Sequence, residues 1–292
     1  MPPHDPHDLI ALAPEPLAAW ADVVGALRAT VGADRLATLA TSVAGLLSAS
    51  GEDVPLTIDR PDASAFDPAI QAFVDQFVLD VSAITDGQRA DALARLGADA
   101  FPFVQALYTL DLGTRTGAAW RQLFDVQITP DGAGGVDLWT ALETFMRAVA
   151  RLDALDPLTT EIVRLRGARA HDCRLCRSLR NVRAAEAGAG EDTYDQIDHY
   201  EDSTLSEHHR VALRLVDAIV WQPTAYPDGL VAAVHRQLSP AETVELVLDV
   251  ARNAANKIAV AFRADDPHVS EGVEFYDVDV AGDLVYGLTP GS

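Results

Sequence analysis

The stretch that decides how this chain is read runs from Thr159 to Arg183, TTEIVRLRGARAHDCRLCRSLRNVR. It holds the only two cysteines among 292 residues, Cys173 and Cys176. Random placement would give that C-x-x-C spacing roughly once in 150 trials, so the two are read as a unit. Asp172 is a favoured N-cap residue, and the run from Cys173 to Ala187, rich in Arg, Leu and Ala and closed by Gly188, predicts a helix with a glycine stop. Both thiols would then lie in its first turn. Unpaired N–H groups and the helix dipole favour an anion there, drawing a thiol down from its ordinary pKa of about 8.5. Three apart on one face, the sulfurs can alternate between dithiol and disulfide.

The same stretch carries seven arginines against two acids, in a chain whose formal net charge is −22. Two expectations follow. Either these arginines pair with acidic faces of this chain or a neighbouring copy, or they lower the thiol pKa and attract an acidic partner. The acidic balance excludes a nucleic-acid or anionic-membrane surface, both of which need clustered cations. The start, MPPHDPHDLIAL, has no basic residue ahead of an apolar run, and no apolar run approaches the roughly 18 residues of a membrane span, so a cytoplasmic protein is expected. In a reducing compartment two cysteines are not a disulfide scaffold; a redox or metal role is the usual alternative for such spacing, and two buried apolar cysteines are the plain one. Zinc wants four ligands, and only His171 adds to the thiols locally.

On either side of the stretch the pattern is helical. Apolar residues recur at helical spacing over 17–49, with a break at Gly32. Further helices are predicted over 69–83, 88–96, 101–124, 138–152, 158–170, 206–220, 230–238 and 240–262. Residues 1–8 are expected to be irregular, with His4 and His7 unassigned; 51–68 is a loop with Pro55, Pro61 and Pro68. The segment 129–135 (TPDGAGG) reads as a flexible boundary near residue 133, which would part a cysteine-free 1–133 lobe from a 134–292 domain. The tail from Val273 to Tyr286 alternates imperfectly, as an extended arm would. The fold class is therefore all-α. DGQRADALARL (86–96) lies over DGLVAAVHRQL (228–238), and 104–124 over 242–262 with Asp111 opposite Asp249, which suggests an internal duplication with one blank copy. His208, His209, His235 and His268 show no ligand spacing and are read as surface or satisfied residues.

An acidic residue, Glu161, twelve positions ahead of C-x-x-C, followed by LSEHHRVALRLVDAIV and ETVELVLDVARNAANKIAV, resembles the carboxymuconolactone decarboxylase superfamily. Within it, the alkylhydroperoxidase D branch is the closer match, over about 138–262. The resemblance implies an all-helical oligomer, a trimer or dimer. It also implies a peroxidase without cofactor or metal, taking a hydroperoxide and re-reduced by a thiol reductant such as a dihydrolipoyl-bearing protein. Carried over by position, Cys176 would be oxidised to the sulfenic acid, Cys173 would resolve it and Glu161 would be the base. The family's histidine four residues after the second cysteine is replaced by Arg180, which cannot shuttle a proton but whose charge would favour the thiolate. The alternatives are a thiol-disulfide reductase, a non-catalytic helical assembly protein, and a cofactor-free decarboxylase, against which the intact cysteine pair argues.

Overall fold

The computed structural model describes residues 5–56, 66–130, 132 and 134–291. The readings of His4, of Pro61 and of the boundary residue Ala133 lie outside the described residues. The first half contains α1 (Pro6–Leu12), α2 (Pro14–Thr30), α3 (Ala33–Leu47), α4 (Pro68–Asp80), α5 (Asp86–Leu96) and α6 (Ala100–Phe124). After α7 (Leu138–Ala150) and α8 (Pro157–Ala170) come the short α9 (Arg174–Arg177), β1 (Leu179–Asn181), α10 (Val182–Glu186) and α11 (Glu191–Asp195). Then follow α12 (Glu207–Trp221), α13 (Leu230–Gln237), α14 (Pro240–Asn253), α15 (Asn256–Phe262), β2 (Glu274–Val278) and β3 (Leu284–Leu288). The protein is predominantly helical, as its apolar spacing predicts.

Helix starts follow from local chemistry. Thr85 with Gln88 and Ser239 with Glu242 form reciprocal capping boxes, and Asp67, Asp137, Asp156 and Ser206 accept from first-turn N–H groups. Asp5 caps α1 in the same way, so the Pro- and His-rich terminus is helical from Pro6, contrary to the expectation of irregularity.

The division at residue 133 is not a division of the core. The larger of two hydrophobic clusters runs from Leu9 to Ala261 and takes in residues of both halves, with α6 buried along most of its length, while a smaller one around Ile162, Tyr194 and Leu213 lies in the second half. α2 packs along α7, and α8 packs on α12 and α14. Polar groups also cross between the halves: Tyr108 Oη donates to Ala251 O at 2.7 Å, Arg115 donates to Val220 O at 2.6 Å, and Lys257 pairs with Asp111. Gly132 and Gly134 lie against α2, where a Cβ on Gly132 would stand 1.8 Å from Ala21 O. Close backbone contact is what those glycines allow.

Two predicted helices are broken. Instead of one helix over 173–187, α9 ends at Arg177 and the chain becomes β1. Continuation would need the carbonyls of Cys176, Arg177 and Leu179 as acceptors. Arg164 donates to Cys176 O and Leu179 O at 2.8 Å, and Arg180 donates to Arg177 O at 2.8 Å. Tertiary bonds override the helical propensity. The 240–262 helix breaks between Asn253 and Asn256. The expected extended tail is a hairpin: β2 pairs antiparallel with β3 and parallel with β1, Leu179 opposite Glu274.

Candidate functional site

Cys173 is the N-cap of α9, and its sulfur accepts from the Cys176 N–H at 3.3 Å. Asp172, expected to be that cap, instead takes positive φ (49°) and pairs with Arg177. Asp265 anchors the start of α9: its carboxylate accepts from Arg174 N at 2.9 Å and its carbonyl from Leu175 N at 2.9 Å. The two sulfurs are 2.6 Å apart, and both cysteines are free thiols. Cys173 is buried, whereas Cys176 is half-buried and lines a cavity of about 630 Å³.

The two thiols are made unequal by what surrounds them. Cys173 donates to Cys176, and that bond, together with burial and the neighbouring charge, pushes the Cys173 pKa up. The same bond brings the Cys176 thiol down to about 7; burial opposes this, while the Arg164 guanidinium and a hydrogen bond from Asn256 reinforce it. Cys176 is thus the more acidic of the two thiols, although Cys173 is nearer the helix start. Asn256 is itself held, because its Oδ1 lies 2.8 Å from His171 Nδ1. Burial, with Lys257 nearby, lowers the His171 pKa to about 3, so the ring is neutral and donates through Nδ1. His171 therefore fixes the amide that faces Cys176.

Glu161 is fully buried, and its carboxylate is committed to other partners. Arg164 donates to its two oxygens at 2.7 and 2.8 Å, Asn181 N donates at 3.1 Å, and Tyr276 Oη donates at 3.3 Å. Among the described residues it makes no hydrogen bond to either thiol. It faces a second cavity of about 200 Å³, and Arg164 and Tyr276 line both cavities. Burial works against the charge on Arg164, and Glu161 more than offsets it, raising the arginine's pKa.

Arg180 is not the cation beside Cys176. Because α9 ends early, Arg180 lies on β1, pairs with Glu191 at 2.8 Å and stacks over Tyr194 at 5.0 Å. Arg164 holds the place expected of it. All seven arginines of the quoted stretch form ion pairs within the chain: Arg164 with Glu161, Arg166 with Asp217, Arg169 with Asp198, Arg174 with Asp265, Arg177 with Asp172, Arg180 with Glu191 and Arg183 with Asp277.

Asn256, Tyr276 and Arg252, which also line the thiol cavity, were not legible as site residues. The alternation of the tail was the available signal for Tyr276; nothing local marked Asn256. Of the remaining histidines, His208 and His235 bond to Gln237 O and Leu123 O, His268 to Glu274, and His209 packs edge-on against His208. Among the described residues no group of three His, Cys, Asp or Glu is placed to hold a metal ion. No single described helix is long and apolar enough to cross a membrane.

No family model matches the chain, and no solved structure matches it. Two proteins of Mycobacterium tuberculosis are similar along nearly its whole length: "Uncharacterized protein Rv2313c" of strain H37Rv and "Uncharacterized protein MT2376" of strain CDC 1551. Each is 36% identical over 284 residues, covering 94% of this chain and 100% of the relative. At that identity and coverage, the chain belongs to the family of these two mycobacterial proteins.

Proposed function

We propose that the protein is a thiol-disulfide oxidoreductase that reduces hydroperoxides through Cys176 and Cys173. The observation that carries this reading is the pair itself. One low-pKa thiol opens on a cavity, and a protonated, buried partner lies 2.6 Å from it. The Cys176 thiolate attacks a peroxide oxygen and breaks the O–O bond, giving a sulfenic acid and an alkoxide. The Cys173 proton passes to the alkoxide, which leaves as the alcohol. The Cys173 thiolate then attacks the sulfenic sulfur, forming the disulfide and releasing hydroxide, and an external thiol reductant, such as a dihydrolipoyl-bearing protein, restores the dithiol. Glu161, whose position suggests a base, acts here as a positioning residue that holds Arg164 beside Cys176.

The test is single-turnover reduction of cumene hydroperoxide, with dimedone trapping of the sulfenic acid. Wild type should form the disulfide, Cys173→Ser should accumulate a trappable sulfenic acid, and Cys176→Ser should do neither. Peroxide consumption unchanged in Cys176→Ser would overturn the proposal.

A homo-oligomer in the cytoplasm belongs to the same reading, and light scattering in solution checks the assembly. The internal duplication is proposed on packing order: α3 packs on α4 and α6, and α4 on α5, as α8 packs on α12 and α14, and α12 on α13.

A further inference from the structure

The cavity beside Cys176 holds a cation without a counter-charge. Arg252, half-buried on its wall, donates through Nε to Met146 O at 3.1 Å and through Nη1 to Asn253 Oδ1 at 3.4 Å. No carboxylate stands within ion-pairing distance of it among the described residues. That is unexpected in a chain with 44 acidic and 22 basic residues, where every arginine between 161 and 183 is paired.

The other two cations on the cavity wall are already matched. Arg147 pairs with Asp283 at 2.6 Å and has Glu143 one turn away, and Arg164 is bound to Glu161. The nearest acid on the helix of Arg252 is Asp249, which faces the smaller cavity with one oxygen unpartnered among the described residues. Burial pushes the Asp249 carboxyl up to about 7 despite Arg252, so it neutralises the guanidinium incompletely. Beside the polar Asn253, Asn256 and Tyr276, the wall has an apolar part formed by Trp139, Met146, Leu175, Leu179, Leu284 and Tyr286. A volume of about 630 Å³ is the size of a small-ligand site, and such sites pair an apolar body with a few fixed polar groups.

We propose that this cavity binds an amphiphilic organic carboxylate, its head on Arg252 and its apolar chain along the Trp139–Leu284 wall. Where that molecule also carries the hydroperoxide, the inference names the substrate class of the thiol site and rests on the peroxidase reading. Carboxylate binding itself does not.

The two parts are separable by experiment. Decanoate and decanol are titrated into the reduced wild-type protein, with heat or tryptophan fluorescence as the readout. Decanoate should bind at least about tenfold more tightly, the size expected of a hydrogen bond to a charged group. Arg252→Gln should remove that preference and Arg252→Lys should keep part of it, with thermal melts showing that both variants fold. Equal affinity for acid and alcohol, or a preference that survives in Arg252→Gln, would overturn the proposal. In parallel, turnover of a carboxylate-bearing hydroperoxide is compared with that of cumene hydroperoxide. Selective decanoate binding without any peroxide reduction would uphold the carboxylate site and sink the peroxidase reading. Peroxide reduction without selective binding would do the reverse.

Discussion

Cys176 meets a thiol, a guanidinium and an amide, and each favours its ionised form. Removing one of them should be visible in the rate of alkylation. With wild type, iodoacetamide should react along a pH profile with its midpoint near 7. Asn256→Ala, which deletes a donor to the thiolate, should move the midpoint up by about one unit, the equivalent of one hydrogen bond to a charged group. Asp249 supplies a second pH-dependent effect of opposite origin. Its folded pKa, about 7, lies above its ordinary 3.8. The stability it contributes is present below the unfolded pKa and is lost as pH rises through 7. Urea midpoints of wild type should therefore fall between pH 4 and 8, and those of Asp249→Asn should fall less steeply. The cysteines were readable at this scale because their spacing is local. Arg164, Asn256 and Arg252 were not, because an arginine in an arginine-rich stretch and an asparagine 80 positions beyond Cys176 acquire meaning only when packing brings them to the sulfur.

Most helices announced themselves through apolar spacing and capping residues, and the sequence-read boundaries of α3, α6, α8 and α12 lie close to the observed ones. The exceptions sit at the site. From Cys173 to Ala187 local propensity is helical, yet Arg164 and Arg180 occupy the carbonyls that a longer helix would need. Every participant lies within the quoted stretch, but the competition arises only once α8 packs beside α9 and β1, which apolar spacing does not encode. The tail hairpin is the other element that shapes the site, since Tyr276 on β2 and Leu284 and Tyr286 on β3 line the cavity. Its turn depends on Gly282, where φ is +88° and a Cβ would lie 2.4 Å from Arg147 O. Gly282→Ala should therefore cost more than about 1 kcal/mol and loosen the hairpin. Faster amide exchange across 274–288, with α14 unchanged, is the expected measurement.

Across the whole molecule, buried charge joins what the sequence suggested were two lobes. Asp111 of α6 is fully buried between Arg115, at 2.7 Å, and Lys257 of α15, and burial opposes the two cations that hold its pKa down. Asp111→Asn would leave both cations without a counter-charge and should cost about 3–5 kcal/mol. Urea unfolding followed by circular dichroism and by tryptophan fluorescence should show it as one lowered transition, coincident in both probes, because the halves share a core. The run TPDGAGG misled at this scale. Composition cannot tell a glycine that gives slack from one that lets two backbones touch, and Gly132 and Gly134 are of the second kind. For anyone engineering the gene, this apparent hinge is a poor place to insert a tag, a fusion or a protease site. Severed there, each fragment would expose the face that the other covers, and the two would persist only by reassociating.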